Sequence, residues 1–395
     1  MVDIRKENMA KKKVGIISYY CGSYNYGGLL QAYALTKFLN QFDNFKVEQI
    51  CYKVLHEHNT KTTDSAFRKV LAGIYHLPKR LYFNYGKKAT EQALEQRKIK
   101  ISKWRERIPH SNKVFTIHTI GECAEYYDCF ITGSDQVWNM RWCDSSYFLD
   151  FVPKSKCRFS YGASIGDKSI SRELEQLLSK NVSTFNGISV REASSKTDVS
   201  NICCRKVEVV VDPTLLLTKE QWDDVCSERQ IKQRYIFCYF LGNDIVMRKI
   251  AKQFARERDC LLVTLPHAPL DYMPCDRGFG DIPLYNIDPS DFLSLIKYAD
   301  YIFTDSFHAS VFSNLYQKKF IVFERSGMLE MGNRIEDLCK LFHNQYRFYR
   351  KKDKVDINQV QSILEVEQAS EHSMYLEEKE KSEHYLEEQL RSISC

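Results

Sequence analysis

The chain has 395 residues, of which 44% are hydrophobic and 13% aromatic, and its formal net charge is +6. This length predicts two or three domains rather than a single core. No run of 18 apolar residues occurs, and the N-terminal apolar run is too short for a secretion signal, so we expect a cytoplasmic protein without a membrane span.

The 14 cysteines are scattered, with no C-x-x-C pair and no histidine at a zinc-ligand spacing. In a chain without a secretion signal, such cysteines are usually reduced and packed as small apolar side chains. We therefore predict structural thiols and no metal site.

The first half of the chain alternates predicted strands and helices. KVGIISYY (13–20) is a strand, the turn CGSYNYGG (21–28) follows, and a helix with an apolar stripe leads to the strand KVEQICYK (46–53). This unit predicts a right-handed crossover between two parallel strands. After a helical insertion at about 60–107, broken near Pro78, the pattern resumes in YYDCFITGSDQVWN, CRFSYGASIG, a helix around 169–185, NGISVREASS and KVEVVVDPTLLL.

The insertion also concentrates the positive charge. Residues 66–107 contain twelve Lys or Arg and only three Glu. Two interpretations stay open: a solvated helical face, or a surface that meets anionic lipid or a phosphorylated carrier. No RNP, zinc-finger or helix-turn-helix signature is present, so we expect no nucleic-acid partner.

A second alternating series begins near residue 234. It reads as the strand RYIFCYFLG, a helix, the strand CLLVTLP, a loop (267–289), the helix SDFLSLIKYA, the strand DYIFTD, a helix that holds His308, and the strand KKFIVFER. Continuous apolar strands between helices predict buried parallel sheets. We expect an α/β protein with two doubly wound domains, 1–225 and 226–350, followed by C-terminal helices over 351–395.

In such sheets ligands bind beyond the carboxyl ends of the strands, so the turns there are candidate sites. Gly27 and Gly28 begin a helix, where free N–H groups favour an anion, although a tight turn without a ligand fits equally well. Gly133, Ser134, Asp135 and Gln136 follow a strand, with Trp138 nearby. They suit hydrogen bonding and stacking on a sugar, or simply cap the next helix.

Two further turns carry ionisable groups. Arg191 ends an apolar run, and its planar fork suits a carboxylate or phosphate, unless it only pairs with Glu192 or another acid. His308 lies at a helix start, where the dipole disfavours its imidazolium unless an anion compensates. A buried histidine with satisfied hydrogen bonds is the alternative.

Taken in order, NYGG with LQAYAL, ITGSDQVWN, SYGAS, ISVRE, VVDPTLLL, DSFHAS and GNRI resemble the polysaccharide pyruvyl transferase family over about residues 13–345. The resemblance implies two Rossmann-like domains facing across a cleft, as in GT-B glycosyltransferases. It also implies transfer of the pyruvyl group of phosphoenolpyruvate onto a sugar of a bacterial surface polysaccharide, such as a capsule or exopolysaccharide, or of its lipid-linked precursor. Commonly two sugar hydroxyls form a cyclic ketal, and phosphate is released.

Matching the family's functional residues makes Arg191 and His308 the essential pair, as anion clamp and general acid/base. The resemblance extends the expected substrate site to Ser306, Phe307, Asn333 and Arg334 near the donor. On the acceptor side, the expected residues are Asn25, Tyr26, Gly27, Gly28, Gly133, Ser134, Asp135 and Gln136.

Family members often have glycine at the position of Ala309, but alanine fits a helix there, so we expect activity to be retained. We expect no cofactor besides the donor substrate, and peripheral contact with the inner membrane face through 66–107. The alternatives are a GT-B glycosyltransferase that uses a nucleotide sugar, and a non-catalytic glycan-binding protein.

Overall fold

The computed structural model describes residues 10–55, 77–166, 169–267, 273–325, 332–353, 355–366 and 373–394, without the side chains of 77–90, 332, 333 and 394. The first seventeen residues of the expected insertion (60–76) therefore lie outside the described part of the chain.

The first half of the chain forms a parallel sheet. Its main strands have the order β2-β1-β3-β4, and the pair β5-β6 joins β4 through the bridges Phe159↔Gly187 and Ala163↔Val190. β3 is fully buried, as expected for a sheet covered on both faces. The strands are β1 (Lys12–Ile17), β2 (Phe45–Gln49), β3 (Cys129–Thr132), β4 (Cys157–Ser160), β5 (Ser189–Val190) and β6 (Glu208–Val209).

The second half forms another parallel sheet, with the order β12-β11-β10-β7-β8-β9. Its two central strands, β7 and β10, are buried along their whole length. The two parallel sheets confirm the α/β class predicted from the alternating pattern. The strands are β7 (Tyr235–Tyr239), β8 (Leu261–Thr264), β9 (Ile282–Pro283), β10 (Tyr301–Thr304), β11 (Lys319–Phe323) and β12 (Phe348–Tyr349).

Helices flank both sheets, and the sequence analysis missed the helix between β5 and β6. They are α1 (Tyr26–Leu39), α2 (Leu77–Arg105), α3 (Arg172–Lys180), α4 (Ala193–Cys203), α5 (Lys219–Asp223), α6 (Ile245–Glu257), α7 (Pro289–Lys297), α8 (Phe307–Leu315), α9 (Gly332–Leu341), α10 (Ile357–Glu365) and α11 (Ser373–Ser394). None of the described helices combines the length and apolar character that crossing a bilayer requires.

One apolar cluster contains buried residues of both halves and holds them together. The ring of Tyr26 on α1 stacks on Phe292 of α7 with 5.1 Å between centroids, and its hydroxyl donates to the Ile287 carbonyl at 3.1 Å. Farther along α1, Tyr33 packs against Trp222, which meets Phe312 of α8. α1 is therefore buried against the second half as well as against its own sheet.

The described part of the basic insertion is one long helix. α2 runs from Leu77 to Arg105 with Pro78 in its first turn, where proline is tolerated, and the residues before Leu77 that would test the predicted break lie outside the described part of the chain. The C-terminal part of α2 packs on the second half. Arg97 is 1% exposed and donates to the carbonyl oxygens of Pro266, His267, Leu284 and Tyr285.

The C-terminal helix α11 returns to the first half of the chain, a point that the sequence left open. Tyr375 donates to the Leu215 carbonyl, Ser382 accepts from the Val211 N–H, and Tyr385 donates to the Ser160 carbonyl. α11 therefore ties the end of the chain to the strands that lead into the cleft. All described cysteines are free, and most of them are buried, as predicted.

Candidate functional site

Three ionisable side chains meet where strands of both sheets end at the cleft. Arg191 follows β5, Asp212 lies three residues after β6, and His308 is the second residue of α8, which begins after β10. Arg191 is 7% exposed, Asp212 2% and His308 9%. The structure thus brings together the two predicted catalytic residues, and it adds a carboxylate between them.

Asp212 joins the other two. Its Oδ2 accepts a hydrogen bond from Arg191 Nη1 at 2.7 Å and lies 3.7 Å from His308 Nε2. Its Oδ1 accepts from the backbone N–H and the hydroxyl of Thr214, at 3.0 and 2.6 Å. Because both oxygens are held, the carboxylate has a fixed orientation toward the arginine and the histidine.

The electrostatics keep this carboxylate ionised. Burial alone would raise the pKa of Asp212, but His308, Arg191 and Thr214 together outweigh burial and hold the pKa below its ordinary value. Asp212 therefore places a fixed negative charge beside His308 and the start of α8.

Further charges surround Arg191. Glu192 Oε1 lies 3.7 Å from Arg191 Nε and 3.9 Å from Arg334 Nε, and Asp135 Oδ1 lies 3.8 Å from Arg191 Nη2. Burial alone would lower the pKa of Arg191, but Asp212, Glu192 and Asp135 outweigh it and raise the pKa. Burial and the nearby charge of Arg191 instead lower the pKa of Arg334 to about 10.

Phe307 underlies the two arginines. The guanidinium carbon of Arg191 lies 4.8 Å from its ring centroid, and that of Arg334 lies 5.8 Å from it. Such contacts hold a planar guanidinium over the ring face while its edge stays available for hydrogen bonds. The Ser306 hydroxyl caps α8 by accepting from the Ala309 N–H, so it is occupied locally.

Several buried polar atoms of the cluster make no hydrogen bond with the described residues: Nε and Nη2 of Arg191, Oε2 of Glu192 and Nε2 of His308. Leaving a buried donor unpaired costs about 1–3 kcal/mol, so such atoms are ready to bind a ligand. A cavity of about 230 Å³ is lined by Arg191 and Glu192, together with Asp212, Phe307 and Arg334.

The start of α1 lies against His308, but its backbone is not free to bind an anion. Asn25 Oδ1 accepts from the N–H groups of Gly27 and Gly28 at 2.9 and 3.4 Å, which occupies the donors that the sequence suggested for a ligand. A Cβ atom on Gly27 would lie 1.9 Å from His308 Nδ1. Gly27 therefore provides the space in which the histidine ring fits.

The predicted residues after β3 separate into exposed and buried groups. The Asp135 side chain is 15% exposed and reaches toward Arg191, and its φ of 70° is in the left-handed region. Ser134 is fully buried and donates to the Gly162 carbonyl. A Cβ on Gly133 would meet Ile16 and Ser18 at 3.1 Å, so this glycine serves close packing.

Two aromatic side chains do not fit their expected roles. Trp138, expected near a sugar, is 0% exposed and stacks on Phe148 in the core, because the chain turns inward after Asp135. Tyr26 is buried between the two halves, with its hydroxyl bound there, so its ring does not face the cleft. Gln136 accepts from Asn139 Nδ2 at 3.2 Å beside the same turn. The side chain of Asn333 lies outside the described residues.

Sequence reasoning assigned no role to Asp212 and treated Glu192 only as a pairing partner. The available signal for Asp212 was VVDPT, an acid at the end of an apolar run followed by proline and threonine. That pattern is typical of a turn in which the carboxylate accepts from the N–H two residues on, as it does here. The pattern does not reveal that the second carboxylate oxygen meets Arg191.

Within the described residues, His267, Cys275 and Asp276 have ligand-type atoms within 4.8 Å of one another. Asp276 already accepts from Arg248 Nη2 at 3.0 Å and lies 2.5 Å from His267 Nδ1. A guanidinium paired with the carboxylate opposes a cation at the same place, so this group fits an ion-pair network better than a metal centre.

Comparisons of the fold agree with this architecture. UDP-GlcNAc 2-epimerase from Methanocaldococcus jannaschii superimposes with a TM-score of 0.51 at 11% identity, over 91% of this chain and 94% of that chain. The S. aureus MnaA–UDP co-structure gives 0.50 at 14% identity, over 95% and 92%. These likenesses show the fold, which is of the GT-B type, with two Rossmann-like domains and a helical C-terminus.

No curated protein sequence matches the chain significantly. The model of one protein family, described as polysaccharide pyruvyl transferase, matches residues 25–327. This range begins at the cap of α1 and includes Arg191, Asp212 and His308. Because the match covers most of the chain, the protein belongs to the polysaccharide pyruvyl transferase family.

Proposed function

We propose that the protein transfers the pyruvyl group of phosphoenolpyruvate onto a sugar of a bacterial surface polysaccharide or its precursor, with release of phosphate. The observation that carries the proposal is the Arg191 guanidinium. It is buried and held by Asp212 and Phe307, and its Nε and Nη2 make no hydrogen bond with the described residues. A small dianion with a carboxylate and a phosphate fits such donors.

In the proposed complex, the donor occupies the cavity in front of Phe307. Its anionic groups lie against Arg191 and Arg334, and its methylene carbon lies near His308. Asp135 and Glu192 are too far from Arg191 for direct hydrogen bonds, at 3.8 and 3.7 Å, so an anion can take those donors without breaking one. The arginines then carry the negative charge of the reacting group.

The chemistry needs one proton delivered to carbon and one removed from each of two hydroxyls. A sugar hydroxyl attacks C2 of phosphoenolpyruvate while C3 accepts a proton from His308 and becomes a methyl group. A second hydroxyl then attacks C2, and the C2–O bond to phosphate breaks. One hydroxyl proton returns to His308, which gave its own proton to C3. The other hydroxyl proton leaves with phosphate, and the product is a ketal.

Asp212 influences these reaction steps through His308 and Arg191. Its Oδ2 lies 3.7 Å from His308 Nε2, and it holds the arginine through Nη1. Because its pKa lies below the ordinary value, it stays ionised when histidine gains or loses the proton. We assign it a positioning role rather than a share in proton transfer.

The test is phosphate release from phosphoenolpyruvate, with and without oligosaccharides from partly hydrolysed bacterial capsular polysaccharides. Release should require the saccharides and should fall by at least about 100-fold in His308→Ala, in line with the loss of a general acid/base. His384→Ala, which changes a 62% exposed histidine on α11, is the control. Turnover by His308→Ala at the wild-type rate would refute the mechanism.

We further propose that the enzyme works at the inner membrane face, where a lipid-linked acceptor would lie. In the part of 66–107 whose side chains are described, Arg97, Lys100, Arg105 and Arg107 bond to protein groups, which leaves fewer cations for lipid. The expected surface therefore depends on the basic residues of 66–90, whose side chains are outside the described set.

Co-sedimentation of the protein with liposomes should rise with their anionic lipid content. Sedimentation that ignores lipid charge would count against this location.

A further inference from the structure

The cavity lined by Arg191 also contains a carboxylate to which the mechanism gives no role. Glu192 is 4% exposed and lines this cavity, and its Oε2 makes no hydrogen bond with the described residues. Buried polar atoms in folded proteins are nearly always paired, so an unpaired one needs an explanation. The carboxylate of Glu192 requires a hydrogen-bond donor, which a ligand in the cavity can supply.

The described neighbours of Glu192 do not supply this donor. Its other oxygen, Oε1, accepts from the Ser164 hydroxyl. The Nε atoms of Arg191 and Arg334 lie 3.7 and 3.9 Å from Oε1, too far for hydrogen bonds. Glu192 is also the cap residue of α4, but its side chain makes no capping hydrogen bond. Neither helix capping nor a hydrogen-bonded ion pair therefore accounts for Oε2.

Glu192 and the arginines suit different groups of a ligand. An ionised carboxylate only accepts hydrogen bonds. The ionised carboxylate and phosphate of phosphoenolpyruvate also only accept, and their negative charges repel that of Glu192. A hydroxyl group is neutral and can donate, so it satisfies Oε2 without this repulsion. The cavity thus combines donors for an anion with an acceptor for a hydroxyl.

Apolar side chains form much of the remaining lining of the cavity. Val209 ends β6, Leu338 and Leu341 belong to α9, and Met374 lies in the first turn of α11. Met374 is 39% exposed, so its flexible side chain is accessible to a ligand. A small, fully charged donor has no apolar face for these side chains. A pyranose has one, since its C–H groups form an apolar face and its hydroxyls lie around the edge of the ring.

The first turn of α11 is held in place beside the cavity. Tyr375, the residue after Met374, stacks on Phe342 with 5.0 Å between ring centroids. Its hydroxyl donates to the carbonyl of Leu215 at 3.0 Å, and Leu215 itself lines the cavity. The apolar lining is therefore formed before a ligand binds, which lowers the entropy cost of binding.

We propose that this cavity binds the acceptor sugar beside the donor, with a sugar hydroxyl donating to Glu192 Oε2 and the C–H face of a pyranose packing on Leu341 and Met374. The inference rests on the proposed function in taking the acceptor to be a glycan. It differs from the expectation drawn from the sequence, which placed the acceptor at residues 25–28 and 133–136. The proton of the hydroxyl follows the route given for the reaction.

Saccharide binding in the absence of phosphoenolpyruvate tests this subsite by itself. Isothermal titration calorimetry should detect binding of oligosaccharides from partly hydrolysed capsular polysaccharides, and Met374→Ala should weaken it by about fivefold, because apolar contact is lost. Leu376→Ala is the matched control, since Leu376 lies on the same helix, is 60% exposed and lies outside the lining of the cavity. Equal weakening by both changes, or no binding of any saccharide fraction, would overturn the proposal.

Kinetics of Glu192→Gln separate the hydroxyl contact from a role in donor binding. The change should raise the acceptor KM by about tenfold, because a neutral amide replaces a charged acceptor. The KM for phosphoenolpyruvate should stay the same or fall, because a negative charge beside the anion is removed. A rise in the phosphoenolpyruvate KM alone, or a lower kcat with both KM values unchanged, would refute the assigned contact of Glu192.

Failure of the proposed function would give a different result from failure of the subsite. If the wild type releases no phosphate but binds saccharides in a way that depends on Met374, the proposed transfer is wrong and the subsite stands. If phosphate release requires saccharides but neither Met374→Ala nor Glu192→Gln changes the acceptor KM, the subsite is wrong and the transfer stands.

Discussion

Gly27 shows how much of the site depends on space rather than on charge. Its hydrogen atoms face the His308 ring across the two domains, and a Cβ there would lie 1.9 Å from Nδ1 and 2.4 Å from Cγ. No such overlap is compatible with the observed ring position. A single methyl group at residue 27 therefore moves the histidine, the start of α1, or both.

We predict that Gly27→Ala lowers kcat by about 100-fold, because a displacement of about 1 Å of a catalytic group has effects of this size. Gly121→Ala is the control, since a Cβ at Gly121 would meet nothing within 4 Å. The comparison requires steady-state phosphate release and a thermal unfolding curve for each variant. Full activity in a folded Gly27→Ala protein would contradict the described packing of His308.

Asp212 links the same site to acid stability. Its pKa is lower in the folded protein than the unfolded value of about 3.9, so its ionised form stabilises the fold above that pH. The stabilisation is lost as the pH falls below this value and through the lower folded-state pKa. We predict that the free energy of unfolding falls more steeply below about pH 4 in the wild type than in Asp212→Asn.

Chemical denaturation at several pH values measures this difference. At neutral pH, Asp212→Asn should be less stable by about 3 kcal/mol, because it leaves the buried Arg191 without the one carboxylate that accepts a hydrogen bond from it among the described residues. Parallel pH dependence in the two proteins would mean that Asp212 has no depressed pKa in the fold.

Sequence reasoning singled out Arg191 and His308, which both lie beside Asp212 in the fold, because strand-to-helix turns and motif order are local features. It could not locate Asp212 as their partner, since that contact depends on how the ends of β5, β6 and β10 meet in three dimensions. The expectation that Trp138 stacks on a sugar failed for a related reason. Its burial against Phe148 is a tertiary contact that the local sequence does not reveal.

At the scale of elements, the contacts of α2 change the interpretation of the basic segment 66–107. A run of Lys and Arg usually indicates a solvated face, yet Arg97 is 1% exposed and donates to four carbonyl oxygens of the second domain. Nearby, Trp104 Nε1 donates to Ser290 Oγ at 2.8 Å. α2 therefore fastens the two domains together beside the cleft, a role that charge counting alone does not reveal.

We predict that Arg97→Ala lowers the free energy of unfolding by about 3 kcal/mol, because the four carbonyl oxygens lose their charged donor and remain buried. Lys98→Ala should change it by less than about 0.5 kcal/mol, since the neighbouring lysine is half-buried and pairs only with the exposed Glu95. Urea unfolding of both variants provides the measurement. Equal effects would show that the contacts of Arg97 do not hold the domains.

For the whole molecule, periodicity and alternation were sufficient to predict two parallel sheets, because buried parallel strands have continuous apolar runs. They were not sufficient for the path of the chain outside the sheets. α4 was missed because ASSKTDVSNIC has no strong apolar stripe, and the return of α11 to the first domain depends on contacts such as Tyr385 with Ser160, far apart in sequence. The surroundings of the cleft thus include α4 and α11, which were harder to predict from the sequence than the strands.

The measurement that tests the central claim most directly is ligand-dependent thermal stability of the wild type and Arg191→Lys, with phosphoenolpyruvate and with UDP-GlcNAc. Arg191→Lys keeps the charge beside Asp212 and removes the guanidinium fork. Phosphoenolpyruvate at about 100 times its Kd should stabilise the wild type by about 2.7 kcal/mol and should stabilise the variant much less. Stabilisation by UDP-GlcNAc, with none from phosphoenolpyruvate, would contradict the proposed donor. Only the description of the fold would then remain valid.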